Sequence, residues 1–71
     1  MKTALVEGQT VSLGDYVCFK SDIEQSGRIV AIKQTYAGVS LTLENSNGFS
    51  GDYIGGQDIT TELARDCWVD G

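Results

Sequence analysis

Leu13-Gly14-Asp15-Tyr16-Val17-Cys18-Phe19-Lys20 and, after a short polar stretch, Gly27-Arg28-Ile29-Val30-Ala31-Ile32-Lys33 decide how this chain folds. In the first run Val17 and Phe19 alternate with Tyr16, Cys18 and Lys20. A period of two sends these sets to opposite faces of a half-buried strand. The second run is β-prone and apolar on both faces, which predicts a central strand or a bulged one. Between them Ser21, Asp22, Glu24, Gln25 and Ser26 read as a polar loop, which Ile23 pins to the body of the domain.

The same logic extends outward. Val11 and Leu13 alternate inward ahead of a turn or bulge at Gly14-Asp15. Residues 34–38 form a second turn. In residues 39–44, Val39, Leu41 and Leu43 share one face, and Ser40, Thr42 and Glu44 the other. Asn47-Gly48 tolerates positive φ at both positions, so it predicts a tight hairpin pairing residues 39–44 with 49–54. Residues 60–66 predict a helical turn, capped by Thr61 with Glu62 near its positive end. Cys67-Trp68-Val69 would be a short closing strand. The expectation is an all-β fold of about five antiparallel strands, with one short helical turn near the C-terminus.

The chain has 71 residues, enough for a single domain spanning residues 1–71, with residues 1–9 expected as a loose N-terminal arm. One core of this size supports a net stability of roughly 3–5 kcal/mol. It cannot enclose a deep cavity, so ligands belong in grooves or on flat faces. Proline is absent and glycine occurs nine times, which suits many tight turns.

The formal charge is −5, and all of the excess lies in residues 34–71, because residues 1–33 balance to zero. An acidic surface repels a phosphate backbone and serves solubility or a basic partner. The N-terminus lacks the apolar core of a signal peptide, and no segment approaches a membrane-spanning length. The expected location is the cytoplasm, with reduced thiols.

Histidine is absent, which removes Ser-His-Asp and Cys-His nucleophilic machinery and His-based metal sites. Carboxylates are plentiful, yet no pair stands at a diagnostic spacing. Gly51-Asp52-Tyr53-Ile54-Gly55-Gly56 lacks the Lys and the Ser/Thr of a phosphate-binding loop, and the acidic spacing does not match a calcium loop. Two distant cysteines are too few for zinc. The expectation is a protein without metal or cofactor that is not an enzyme.

Leu13-Gly14-Asp15-Tyr16-Val17-Cys18-Phe19, a polar loop and then Gly27-Arg28-Ile29 resemble the opening of SH3-like barrels of the KOW and Tudor kind. The chain is similar to small uncharacterised SH3-like proteins of bacteriophages and bacteria. The resemblance implies a small barrel in which the first and last strands run side by side, bringing Cys18 and Cys67 near each other. A disulfide fits that arrangement. Two unpaired thiols acting as small apolar residues fit an intracellular chain better.

Phe19 belongs to the core by alternation, and Trp68 is expected to pack on it as the large plug of the barrel. SH3-like domains often bind peptides through aromatics with acids beside them. That implies a non-enzymatic interaction module, with a protein or peptide partner held by Tyr16, Asp52, Tyr53, Asp58 and Trp68. A basic or methylated lysine segment would suit such a face. The alternative is a nucleic-acid-associated accessory protein of the KOW or Tudor kind, using a patch of Lys20, Arg28 and Lys33, although KOW domains are usually basic and this chain is acidic. A third reading is a structural subunit of a larger complex, with an oligomeric state that the sequence leaves open.

Overall fold

β-strand order follows from where glycine and β-branched residues fall. The computed structural model describes residues 1–20, 23–49 and 57–70. Its strands are β1 (Thr3–Val6), β2 (Gln9–Ser12), β3 (Tyr16–Lys20), β4 (Glu24–Thr35), β5 (Gly38–Glu44) and β6 (Ile59–Leu63), followed by a 3-10 turn at Ala64–Asp66. β1 and β2 form a two-stranded antiparallel sheet, and β3-β4-β5-β6 a four-stranded antiparallel meander. Among the described residues there are thus six strands in two sheets, against an expectation of about five. No helix among the described residues is long and apolar enough to cross a membrane.

The long strand β4 organises the molecule. Its first part pairs with β3, from Lys20↔Glu24 to Tyr16↔Arg28. Its second part pairs with β5, from Arg28↔Glu44 to Thr35↔Gly38, with a register shift between Ile29 and Ala31. A bulge of this kind bends a strand, and here it lets one strand serve two neighbours. Apolar residues on both faces of this run were the visible trace of that bend. Gly27 is buried just before it. A β-carbon there would stand 2.9 Å from Leu43 Cβ and 3.0 Å from Phe49 Cζ, so only glycine lets these side chains close over the strand.

The core contains Val6, Val11, Val17, Phe19, Ile29, Leu41, Leu43 and Phe49, joined by Ala4, Ile32, Ala64 and Cys67. β3 buries Val17 and Phe19 as the sequence predicts; β5 buries Leu41 and Leu43, but Val39 is only half-buried and Ser40, expected on the other face, is buried as well. Phe19 meets the ring of Phe49 edge to face, with centroids 5.3 Å apart. Phe49 therefore plugs the core, and Trp68, expected there, is only half-buried.

Other expectations are corrected. Residues 1–9 are no loose arm: Ala4 and Val6 anchor β1 in the core, and a two-residue Glu7-Gly8 turn joins it to β2. Leu13 is 47% exposed, because β2 ends at Ser12. There the Asp15 carboxylate accepts from the Ser12 amide at 2.8 Å and tightens the turn. Ile23 is exposed rather than pinned, and residues 24–26 belong to β4 rather than to a loop.

Asn47-Gly48 does form a turn, with the Gly48 amide donating to Asn45 O at 2.9 Å. Only Gly48 takes positive φ, and the Asn45 side chain accepts from the Asn47 amide, an Asx-type turn rather than the expected hairpin. β5 finds its second partner in β6, so residues 40–44 have both edges filled, and residues 50–54 of the expected hairpin lie outside the described residues. The expected helical turn over 60–66 shrinks to Ala64–Asp66, which has no side-chain cap. β-Branched Ile59, Thr60 and Thr61 go to the strand instead.

The chain then returns to β3. Cys18 and Trp68 form an isolated antiparallel bridge, with reciprocal amide–carbonyl bonds of 2.8 and 2.9 Å. The expected closing strand is thus reduced to a single rung. The four-stranded sheet itself stays open, since β3 and β6 do not pair.

Candidate functional site

The outward face of β3 gathers the aromatic residues. Val17 and Phe19 point into the core, so Tyr16, Cys18 and Lys20 point out. Directly opposed residues in an antiparallel pair share a face. Trp68, Cys18 and Ser26 therefore form one row across the sheet, and Tyr16, Arg28 and Glu44 the next. Tyr16 stands diagonal to Trp68, about 7–8 Å away between backbones, and is 65% exposed.

Each row lines its own groove. Trp68 and Cys18 border an open groove of about 330 Å³ with Glu24, Gln25, Ser26 and Asp70. Tyr16 borders a polar one of about 270 Å³ with Ser26, Arg28, Glu44, Asn45, Ser46 and Asn47. Ser26 is common to both, so the two aromatics sit on neighbouring concavities that meet at one small side chain.

The Trp68 groove is electronegative. Partial burial, then the Asp70 and Glu24 carboxylates, push the Cys18 thiol above its ordinary value. Both carboxylates thus act on the same spot beside the indole. In the neighbouring groove Arg28 Nη2 donates to Glu44 Oε1 at 2.8 Å. That hydrogen bond, with Glu44's charge behind it, holds the guanidinium above its already high ordinary value. The pair is solvent-exposed and orients two side chains more than it stabilises the fold.

The predicted site residues are thus dispersed. Tyr16 and Trp68 come together. Asp58 is exposed and lies at the start of β6, where its carbonyl accepts from the Asn45 amide at 2.9 Å, away from the Trp68 groove. Asp52 and Tyr53 lie outside the described residues. Glu24 and Asp70 were missed, although Asp70 follows Trp68 by two positions, the spacing that puts neighbours on one face of an extended segment. Lys20, Arg28 and Lys33 share the outer face but do not cluster. Lys20 is paired opposite Glu24 and Arg28 opposite Glu44, and the line from Lys20 to Lys33 runs about 25–30 Å along β4.

Both cysteines are free thiols. Cys18 faces out and Cys67 is buried, on opposite sides of the bridge, which explains why adjacency does not become a disulfide. Burial pushes the Cys67 thiol up to about 12, with Glu62 and Asp66 adding to the effect, and its Sγ donates to Leu63 O at 3.4 Å. Such a thiol stays protonated at neutral pH and is inert. Among the described residues, no group of three or more Cys, Asp or Glu is placed to hold a metal ion.

No known protein-family model, curated protein or solved structure matches this chain.

Proposed function

We propose that this chain is a non-enzymatic interaction module that binds a basic protein segment in the Trp68 groove, with Tyr16 extending the contact. The observation that carries this reading is that half-buried Trp68 lines one groove together with Glu24 and Asp70. An aromatic face attracts a cation electrostatically, and nearby carboxylates add to the attraction. The backbone bridge to Cys18 holds the main chain of Trp68 against β3, beside the groove. The chain's charge of −5 favours the approach of a cationic partner.

The same reading takes the fold as an SH3-like barrel. Its supports are the β3–β6 meander, the 3-10 turn after β6 and the return of Trp68 to β3. The barrel would be closed by that bridge alone.

Trp68 is the only tryptophan, so its fluorescence reports directly on the groove. A lysine-rich peptide should give a saturable change that weakens with salt, whereas a glutamate-rich control should give none. Glu24→Gln with Asp70→Asn should abolish the response while leaving the circular dichroism spectrum intact. A flat titration at low salt, or binding indifferent to the double substitution, would exclude this site.

A further inference from the structure

We propose that a second copy of this chain docks on the groove between the β1–β2 hairpin and the 3-10 turn, forming a two-fold dimer in which Glu7 of each copy meets Arg65 of the other. This surface is separate from the Trp68 groove and stands whether or not that groove binds a basic segment.

The groove has a volume of about 240 Å³ and is walled by Leu5, Val39, Leu63 and Ala64, with Glu7 and Arg65 on its rim. It continues past Leu5 and Val39 into a second depression of about 330 Å³, reaching Met1 and Thr10. β1 turns Ala4 and Val6 into the core and Leu5 outward, leaving Leu5 66% and Met1 61% exposed. Single exposed leucines are ordinary, but contiguous aliphatic surface around a groove marks a contact site.

The charges select the occupant. Glu7 stands on the hairpin wall and Arg65 on the wall formed by the 3-10 turn. Among the described residues neither is in an ion pair, and Arg65 Nη1 donates only to Ala37 O, at 3.1 Å. A partner presenting one sign of charge would satisfy one of them and repel the other. A second copy related by a two-fold axis satisfies both at once, because an isologous contact brings residue i to residue j and j to i. The rim is also neutral in sum, on a chain of net charge −5, so two copies can approach here with the least repulsion.

Glu7 adds an independent observation. It has φ of +52° and precedes Gly8 at +79°, a two-residue hairpin turn whose first position favours Asn, Asp or Gly. A contact with Arg65 of a second copy would give glutamate a role at this turn position. A standard interface covers about 800 Å² per partner, roughly a sixth of the 4554 Å² surface of this chain.

Sedimentation equilibrium of the full chain, from low-micromolar to millimolar concentration, tests this. The expected result is a monomer–dimer equilibrium. Glu7→Arg and Arg65→Glu should each weaken it by about tenfold or more, since like charges then face each other. An equimolar mixture of the two variants should restore a dimer, because both cross-pairs are again of opposite sign. Leu5→Lys should abolish association through the apolar centre. Circular dichroism should confirm folding, which these exposed positions leave intact. As a check that needs no variant, amide resonances of Leu5, Val39 and Leu63 in the unaltered chain should shift with concentration. A monomer at millimolar concentration, a dimer untouched by both charge reversals, or a mixture that stays monomeric would overturn the proposal.

Discussion

The Trp68 groove and the Leu5 groove lie at opposite ends of β4 and are built from different materials. The first uses the outward face of paired strands. Its tryptophan is tied to β3 through the backbone, and its charge comes from carboxylates. The second lies where the hairpin packs against the sheet, with no β-pairing across it, and its walls are aliphatic. Backbone pairing places a polar side chain accurately. Side-chain packing leaves a seam, and the seam exposes what the core could not take in. One small domain thereby carries two grooves of different chemical character.

The two ends share one support, and removing it breaks the comparison most severely. Phe49 packs on Phe19 and crowds Gly27, beneath the middle of the sheet. Phe49→Ala should cost about 3–5 kcal/mol, as much as the roughly 3–5 kcal/mol that a core of this size provides. Urea denaturation followed by Trp68 fluorescence should find the variant largely unfolded without denaturant. A loss below about 1 kcal/mol would show that the two ends do not depend on this ring.

Alkaline pH separates the ends next. Cys67, adjacent to Trp68, has its thiol raised to about 12 in the folded chain. An unfolded thiol ionises near 8.5. Below that value both states hold the proton and stability is flat. Between about 9 and 12 only the unfolded state releases it, so stability falls as pH rises and the contribution is lost above the folded value. The loss should pass about 1 kcal/mol just above pH 9 and reach about 2 kcal/mol near pH 10. Thermal melts of Cys67→Ala should lack this part of the slope. An identical slope in the variant would assign the alkaline loss to other groups.

The smallest effect sharpens the other end. Glu7→Gly relieves a left-handed backbone at a residue with a β-carbon. It should raise monomer stability by about 0.5–1 kcal/mol, after the greater entropy of glycine in the unfolded chain is counted. It should also weaken dimerisation, leaving the Trp68 titration unchanged. A variant less stable than the parent chain would mean that the Glu7 side chain supports the hairpin within one copy.

Local pattern and tertiary choice divide what the sequence could reveal. β3 was legible because it alternates over a buried face, and β5 because Leu41 and Leu43 do the same, although Ser40 is buried beside them. β4 was legible as central or bulged because apolar residues fell on both sides. β6 was hidden, since Thr61 and Glu62 also suit a helix start, and only the free edge of β5 made a strand of them. The Asn47-Gly48 turn misled for a related reason: Asn45 reached forward to the Asn47 amide and kept that residue out of the left-handed region. Trp68 looked like a core residue by size, but Phe49 took the place beside Phe19. At the site, Tyr16 and Trp68 were readable as aromatics, whereas Glu24 and Asp70 joined them only through pairing. Leu5 and Glu7 lie far from Arg65 in sequence, and only the packing of the β1–β2 hairpin against the 3-10 turn joins them. Ala4 and Val6 alternating ahead of Glu7-Gly8 was the signal for a hairpin there.

The Cys18–Trp68 bridge has a kinetic consequence. It joins positions 18 and 68, yet it consists of one reciprocal pair of hydrogen bonds, whereas β4 is held from both sides. The segment around Trp68 can therefore lift away while the meander stays folded, a sub-global opening cheaper than complete unfolding. The amide protons of Cys18 and Trp68 should then exchange with solvent deuterium at a common rate, well ahead of those in the middle of β4. That opening would set how often the indole is withdrawn from its groove, and with it an upper limit on how long any ligand stays.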